Sequence, residues 1–330
     1  MFKYKKILLI NFGGIGDEIL FLPVISALKE LCPDSNITLC LESRSRAFLQ
    51  LTDLVDSYFF ADIKTKNKYI EMLKLYFRAL FGHYDLVISS GSNPLISLLL
   101  FLTGIKTRIG YKCSNLSNKL LTHAVELNKN QYAANMYFDL VLSLDNIEYR
   151  LPHINIETDE KYHNSVLIHP GVSKISIAKK ITKTISPEKW AELIVLLLNN
   201  GKNVYLVGGP DDGDCILQIE KELECIENKA NFFDLYGQTK NILDLAKLIK
   251  KSEVLICSDS APMHIGVATN TKTIAIFGPT DDLKLIPESP NFIAVKNDTP
   301  CRPCLWDKRQ QTCEKLDCLN IDLTKILNLV

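Results

Sequence analysis

Short apolar runs that end in glycine, serine or proline alternate with longer helical patterns along almost all of this 330-residue chain. That alternation restricts it to parallel sheets covered by helices, an α/β architecture. Strands are expected at 6–11, 37–41, 57–60, 86–89 and 107–110, and again at 166–169, 203–207, 254–257 and 273–277. Helical patterns run over 17–31, 69–80, 187–199, 213–224 and 242–250. A polar, strand-poor segment around 148–164 parts the two series. The division is therefore placed near 155, giving an N-terminal domain 1–155 and a C-terminal domain 156–330. Each reads as Rossmann-like, with ligands expected in a cleft at the carboxyl ends of the strands.

The charge balance removes one class of function. The chain carries 38 basic and 38 acidic side chains, so bulk positive potential cannot hold a nucleic acid. Residues 1–150 hold three more cations than anions and 151–330 three fewer, so an anionic partner is expected for the first half, if for either. Lys3, Lys5 and Lys6 precede an apolar run of only four residues, 7–10, which reads as a first strand and not as a signal peptide. The apolar stretch 95–102 is far short of the ~20 residues of a membrane span. A cytoplasmic protein is expected. In that reducing compartment the ten cysteines suggest buried thiols or a metal site before disulfides.

Four strand ends carry chemistry. The first runs Asn11-Phe12-Gly13-Gly14-Ile15-Gly16-Asp17-Glu18 into a helix. Its spacing is not that of a dinucleotide fingerprint, and an acid at the helix start would repel a pyrophosphate. Asp17 beside a bare turn formed by Gly14 and Gly16 suits proton abstraction from a hydroxyl. The alternative is that it only complements the helix dipole. In the second domain His169-Pro170-Gly171-Val172-Ser173 is followed by Lys174, Lys179, Lys180 and Lys183, cations fit to neutralise a diphosphate or to be solvated. Gly208-Gly209-Pro210 lets a ligand approach the backbone. Cys257-Ser258-Asp259-Ser260-Ala261-Pro262-Met263-His264 breaks a buried strand into a helix, whose free N–H groups form an anion site or a plain cap.

Together these motifs resemble glycosyltransferase family 9, the heptosyltransferases. They include Gly13 to Asp17 with Leu22-Pro23, His169-Pro170-Gly171, the segment 183–190, Gly208-Gly209-Pro210, and Asp259 to His264 running on to Phe277-Gly278-Pro279-Thr280. The resemblance implies a GT-B fold and an inverting enzyme of lipopolysaccharide or lipooligosaccharide core synthesis. It gives Asp17 the role of base, Lys183 a contact to the sugar-nucleotide phosphates, Asp259 a place near the donor sugar, and Ser260 and Ala261 the backbone N–H groups that hold the diphosphate. Gly171, Ser173, Gly209 and His264 fall on the same ligand-facing turns, His264 as a structural hydrogen-bonder. Thr184-Ile185-Ser186-Pro187 departs from the family pattern, so Lys180 is the alternative to Lys183. The implied partners are ADP-heptose and a glycolipid or glycan acceptor, with no cofactor in the chemistry.

Near the C-terminus Cys301, Cys304, Cys313 and Cys318 have the spacing C-x2-C-x8-C-x4-C. They read either as a structural zinc or iron knuckle, iron because one branch of heptosyltransferases resembles this in a four-cysteine site, or as reduced turns. The run 95–102, with Lys64, Lys66, Lys68, Lys74, Lys106 and Arg108 around it, reads either as a peripheral membrane contact or as an ordinary buried helix. Two functional alternatives stay open: a transferase of another nucleotide sugar such as a UDP-hexose, and a non-catalytic nucleotide-sugar binder. A nicotinamide oxidoreductase lacks its glycine spacing and offers only Glu42 as a ribose-binding acid.

Overall fold

The computed structural model describes residues 4–330 except 66, 159, 227, 228 and 307, together with all their side chains but those of 174 and 175. Lys66 and the side chain of Lys174 thus lie outside the described residues. The chain divides into two compact units, Met1–His153 and Ile154–Val330.

In the first unit β1 (Lys6–Ile10), β2 (Asn36–Leu41), β3 (Ser57–Phe60), β4 (Leu86–Ser89), β5 (Thr107–Tyr111) and β6 (His123–Val125) form one sheet in the order β3-β2-β1-β4-β5-β6. Its helices are α1 (Ile15–Leu31), α2 (Lys68–Phe81), α3 (Pro94–Leu102), α4 (Asn115–Leu120) and α5 (Ala133–Leu142). Every strand pair is parallel, with Ile10 opposite Cys40 and Ser89 at the carboxyl edge. The central strand β1 is buried along Ile7 to Ile10 because helices cover both faces, which is why it reads as an unbroken apolar run.

The second unit repeats the plan. Strands β7 (Ser165–His169), β8 (Asn203–Leu206), β9 (Phe232–Asp234), β10 (Val254–Ser258), β11 (Lys272–Phe277) and β12 (Phe292–Lys296) lie in the order β12-β11-β10-β7-β8-β9, again all parallel. Helices α6 (Lys174–Ala178), α7 (Pro187–Asn199), α8 (Gly213–Leu223), α9 (Ile242–Lys251), α10 (Ala261–Ala268), α11 (Asp282–Leu285) and α12 (Leu323–Leu327) accompany them. In both sheets the chain order reverses beside the first strand, between β1 and β4 and between β7 and β10. Loops diverge there, leaving room for a ligand at the carboxyl edge. The short edge strands β6, β9 and β12 escape the sequence pattern because partly exposed edges dilute the apolar run.

Among the described residues no helix is long and apolar enough to cross a membrane. The run 95–102 falls in α3, which Asn93 caps through its side chain; Ile96, Ser97, Leu99 and Leu100 are buried, whereas Leu95, Leu98, Phe101 and Leu102 are exposed.

Candidate functional site

In the first unit the chain leaves β1 at the point of order reversal and turns into α1 through Asn11 to Gly14. Asp17 sits at the third helical position, where its Oδ2 accepts the Gly14 N–H at 2.7 Å. Its other oxygen, Oδ1, enters no hydrogen bond among the described residues, and the residue is half-buried. Gly13 must be glycine, since a Cβ there would stand 2.2 Å from the Cβ of Asp17. Gly14 caps the helix and Gly16 lies in its first turn, both half-exposed. The Ser45 hydroxyl donates to the Gly13 carbonyl at 2.6 Å, and Lys64 donates to the Phe12 carbonyl. Arg44 pairs with buried Glu42 at 2.6 Å and lies beside Gly14. Arg44 and Lys64 were invisible as site residues in the sequence, because they come from the segments after β2 and β3.

Glu18, next to Asp17, is fully buried, and among the described residues neither of its oxygens has a hydrogen-bond partner. Burial pushes its carboxyl well above the usual range; the nearby Asn11 amide opposes this, and the Asp17 and Glu42 charges add to it. The folded chain therefore holds a proton there that the unfolded chain releases above ~4.3, so this residue's contribution to stability falls as pH rises. Glu18→Gln, which never ionises, should gain on the parent by ~1.4 kcal/mol for each pH unit above ~4.3 until the folded group itself titrates. Thermal melts of both proteins from pH 5 to 8 check this, and parallel profiles would refute it.

In the second unit the segment after β11 and the loop before α7 meet the end of β10 at Asp259. This residue follows fully buried β10 and is itself 2% exposed. Its Oδ2 accepts the Thr280 hydroxyl at 2.6 Å and pairs with the Lys183 ammonium at 3.2 Å. Ser260 begins α10 without a side-chain cap, Pro262 stands in the first turn, and Ala261 is half-buried. The uncapped start of α10 thus stands near a lysine, an arrangement suited to holding an anion. His264 is buried one turn further on. Thr184 fixes the approach of the Lys183 loop: its hydroxyl donates to the Pro170 carbonyl at 2.7 Å and accepts from the Ser258 hydroxyl at 2.8 Å and the Trp190 indole at 2.9 Å. Lys180 is exposed and has a positive φ of 54°. Lys183, not its alternative, is the lysine that reaches Asp259.

Gly171 and Gly209 carry a duty the sequence concealed. A Cβ on Gly171 would lie 1.7 Å from Oδ1 of Asp212, and the Gly209 N–H already donates to Oδ2 of that residue at 2.8 Å. Both glycines serve the buried Asp212 carboxylate at the start of α8, which also stands 3.6 Å from His169. Desolvation lowers the His169 pKa, with Asp212 opposing, which favours the neutral ring. Ser173 is exposed and meets Ser176 at 3.2 Å.

Of the two readings of the cysteine tail, the metal knuckle is not seen among the described residues. Among the described residues no group of three or more His, Cys, Asp or Glu is placed to hold a metal ion. Cys301 is exposed, Cys313 half-buried, and Cys304 and Cys318 buried; burial pushes the last two thiols up, and the neighbouring thiols add to it. The four feel one another's charge without closing on a common point, because the tail backbone is tied elsewhere. The Cys304 N–H donates to the Pro279 carbonyl at 2.9 Å, and Cys318 packs into the sheet core.

What the tail does instead is clasp two loops. Arg302, its side chain 6% exposed, donates to the carbonyls of Gly278 and Thr280 and pairs with Asp282. The Thr312 N–H and hydroxyl both donate to the Lys180 carbonyl, at 3.1 and 2.9 Å. These loops deliver Thr280 and Lys183 to Asp259. Only Gly278-Pro279-Thr280 signalled this in the sequence, as a turn without an assigned role.

Residues 73–316 match the family model described as glycosyltransferase family 9 (heptosyltransferase). The chain is 28% identical over 295 residues to lipopolysaccharide heptosyltransferase 3 of Escherichia coli, covering 84% of this chain and 85% of that one. It superposes on the Escherichia coli ADP-heptose lps heptosyltransferase II with a TM-score of 0.71 at 19% identity, covering 98% and 97% of the two chains. It superposes on a family 9 glycosyl transferase from Veillonella parvula with a TM-score of 0.73 at 20% identity, covering 99% and 96%. Those two superpositions extend the likeness of fold over both units.

Proposed function

The chain belongs to glycosyltransferase family 9, and we propose that it transfers a heptose from ADP-heptose to a lipopolysaccharide or lipooligosaccharide core acceptor, with inversion, in the cytoplasm. It is a glycosyltransferase by family; the donor and acceptor follow the names of its relatives. The observation that carries the reading is the Lys183–Asp259–Thr280 cluster at the uncapped start of α10. A cation and free N–H groups side by side are what a departing nucleoside diphosphate requires.

In the proposed step Asp17 takes the proton of the acceptor hydroxyl. The oxygen attacks the anomeric carbon from the face opposite the diphosphate. The bond from that carbon to the phosphate oxygen breaks, its electron pair stays on the diphosphate, and ADP leaves. Lys183 and the N–H groups of Ser260 and Ala261 stabilise the charge as it grows, which lowers the barrier more than it tightens the ground state. Asp259 aims Lys183, and His264 braces α10. Gly14 and Gly16 leave the Asp17 turn open to the acceptor. Arg44 and Lys64 supply positive charge there for an anionic acceptor. Ser173, on the turn after β7, faces the donor.

Calorimetric titration with ADP, UDP, GDP, NAD and ADP-heptose tests the reading. ADP and ADP-heptose should bind and the other nucleotides should bind at least tenfold more weakly. A preference for UDP or GDP would keep the transferase and overturn the heptose donor, and binding of NAD alone would reject both.

A further inference from the structure

Helices α2 and α3 lie side by side on one face of the first sheet, where Leu75 and Ala79 of α2 and Ile96, Leu99 and Leu100 of α3 share a core. Their opposite faces are apolar as well. On α2, Ile70, Leu73, Phe77 and Phe81 recur at helical spacing and are 57, 55, 45 and 68% exposed. Phe77 and Phe81 stack with ring centroids 6.0 Å apart. Leu95, Leu98, Phe101 and Leu102 extend the patch onto α3. Beside it, an open groove of about 900 Å³ runs between α2 and the edge strand β3, lined by Tyr58, Phe59, Phe60 and Tyr84. Surface helices of soluble proteins present polar residues outward, so a two-helix apolar face marks a contact surface.

The charges around it select the partner. Lys68, Lys74 and Arg78 lie on α2 itself, and Lys64, Lys106 and Arg108 lie in the segments just before α2 and after α3. Glu71, the acid of α2, is already paired with Lys74 at 2.6 Å. Lys68 and Arg108 lie over the rings of Tyr69 and Phe101 at 4.9 and 5.4 Å, joining the cationic rim to the apolar centre. A two-fold contact with a second copy would set this basic rim against itself. An apolar surface fringed by lysine and arginine is matched by acyl chains beneath anionic headgroups.

We propose that the outer face of α2 and α3 docks the protein on a bilayer rich in anionic lipid. The geometry suits the proposed reaction, on which the inference rests only for its purpose. Because α2 follows β3 and α3 follows β4, both helices start at the carboxyl edge of the sheet, beside the Asp17 turn. Lys64, just before α2, reaches the Phe12 carbonyl of that turn. A glycolipid held in the bilayer would therefore meet the base from the docked face.

The test is flotation of the full chain with vesicles of phosphatidylethanolamine and phosphatidylglycerol at about three to one, against phosphatidylcholine alone. The parent should float with the anionic vesicles and lose binding as salt is raised. Phe77→Ser with Phe81→Ser should weaken binding at least tenfold, and Lys68→Gln with Arg78→Gln about thirtyfold. All four side chains are exposed, so melting temperature and ADP binding should not move. Absence of binding to anionic vesicles, or binding unchanged in both double variants, would overturn the proposal. So would a stable dimer that the phenylalanine changes disperse. Loss of ADP specificity with vesicle binding intact would reject the heptose reading and leave the docking surface standing.

Discussion

Asp17→Asn should lower kcat by about 10²- to 10⁴-fold while leaving ADP and ADP-heptose affinity within about twofold of the parent. The amide keeps the shape of the carboxylate, and its oxygen still accepts the Gly14 N–H that now meets Oδ2 at 2.7 Å. The turn and the start of α1 therefore stay in place. What the amide lacks is a basic oxygen for the acceptor proton. Because the donor cluster belongs to the other unit, the loss should fall on kcat and spare donor binding. Steady-state kinetics with calorimetry separate the two. Full activity in Asp17→Asn would make Asp17 a helix-dipole partner only, and equal losses in both measurements would point to a disturbed fold.

The second large effect is expected at Lys183. Lys183→Ala removes the cation aimed at the diphosphate and should reduce kcat/KM about 10- to 150-fold, the range of a lost charge-assisted hydrogen bond. It also strands Asp259, whose side chain is 3% exposed and keeps only Thr280 among the described residues. An uncompensated buried charge costs about 3–5 kcal/mol, so the variant should melt lower. Adding Asp259→Asn removes that charge and should restore most of the melting temperature without restoring activity. Recovery of both would mean that the pair is structural and that another cation serves the donor.

The segment order shows how far the chain can be read before it is folded. Doubly wound parallel sheets were legible because buried parallel strands such as β1 and β10 leave unbroken apolar runs, and because glycine, serine and proline punctuate their ends. Asp17, Asp259 and Ser260 were legible for a related reason: each lies at a strand-to-helix break, where backbone geometry limits which residues fit. The edge strands β6, β9 and β12 were not, and neither was the outward face of α2. Local periodicity shows that a helix has two sides but not that both are apolar for different purposes.

Residues that act on a distant part of the chain left no local trace. Asp212 determines why Gly171 is glycine, yet two helices and a strand separate the two residues along the chain. Thr280 and Lys183 share the Asp259 carboxylate, and Arg302 and Thr312 tether the two loops that bring them there. The cysteine spacing suggested a metal knuckle because spacing records only distance along the chain. Tertiary hydrogen bonds tie the tail backbone to separate loops, Cys304 to Pro279 and Thr312 to Lys180. By itself the sequence determined the architecture, the strand ends that carry chemistry and the family motifs, all consequences of short-range pattern. Only the tertiary structure decided which lysine meets Asp259, what Gly171 accommodates, what the tail holds and which apolar side chains of α2 and α3 stay exposed. Those depend on contacts between segments far apart in sequence, whose proximity is created by packing.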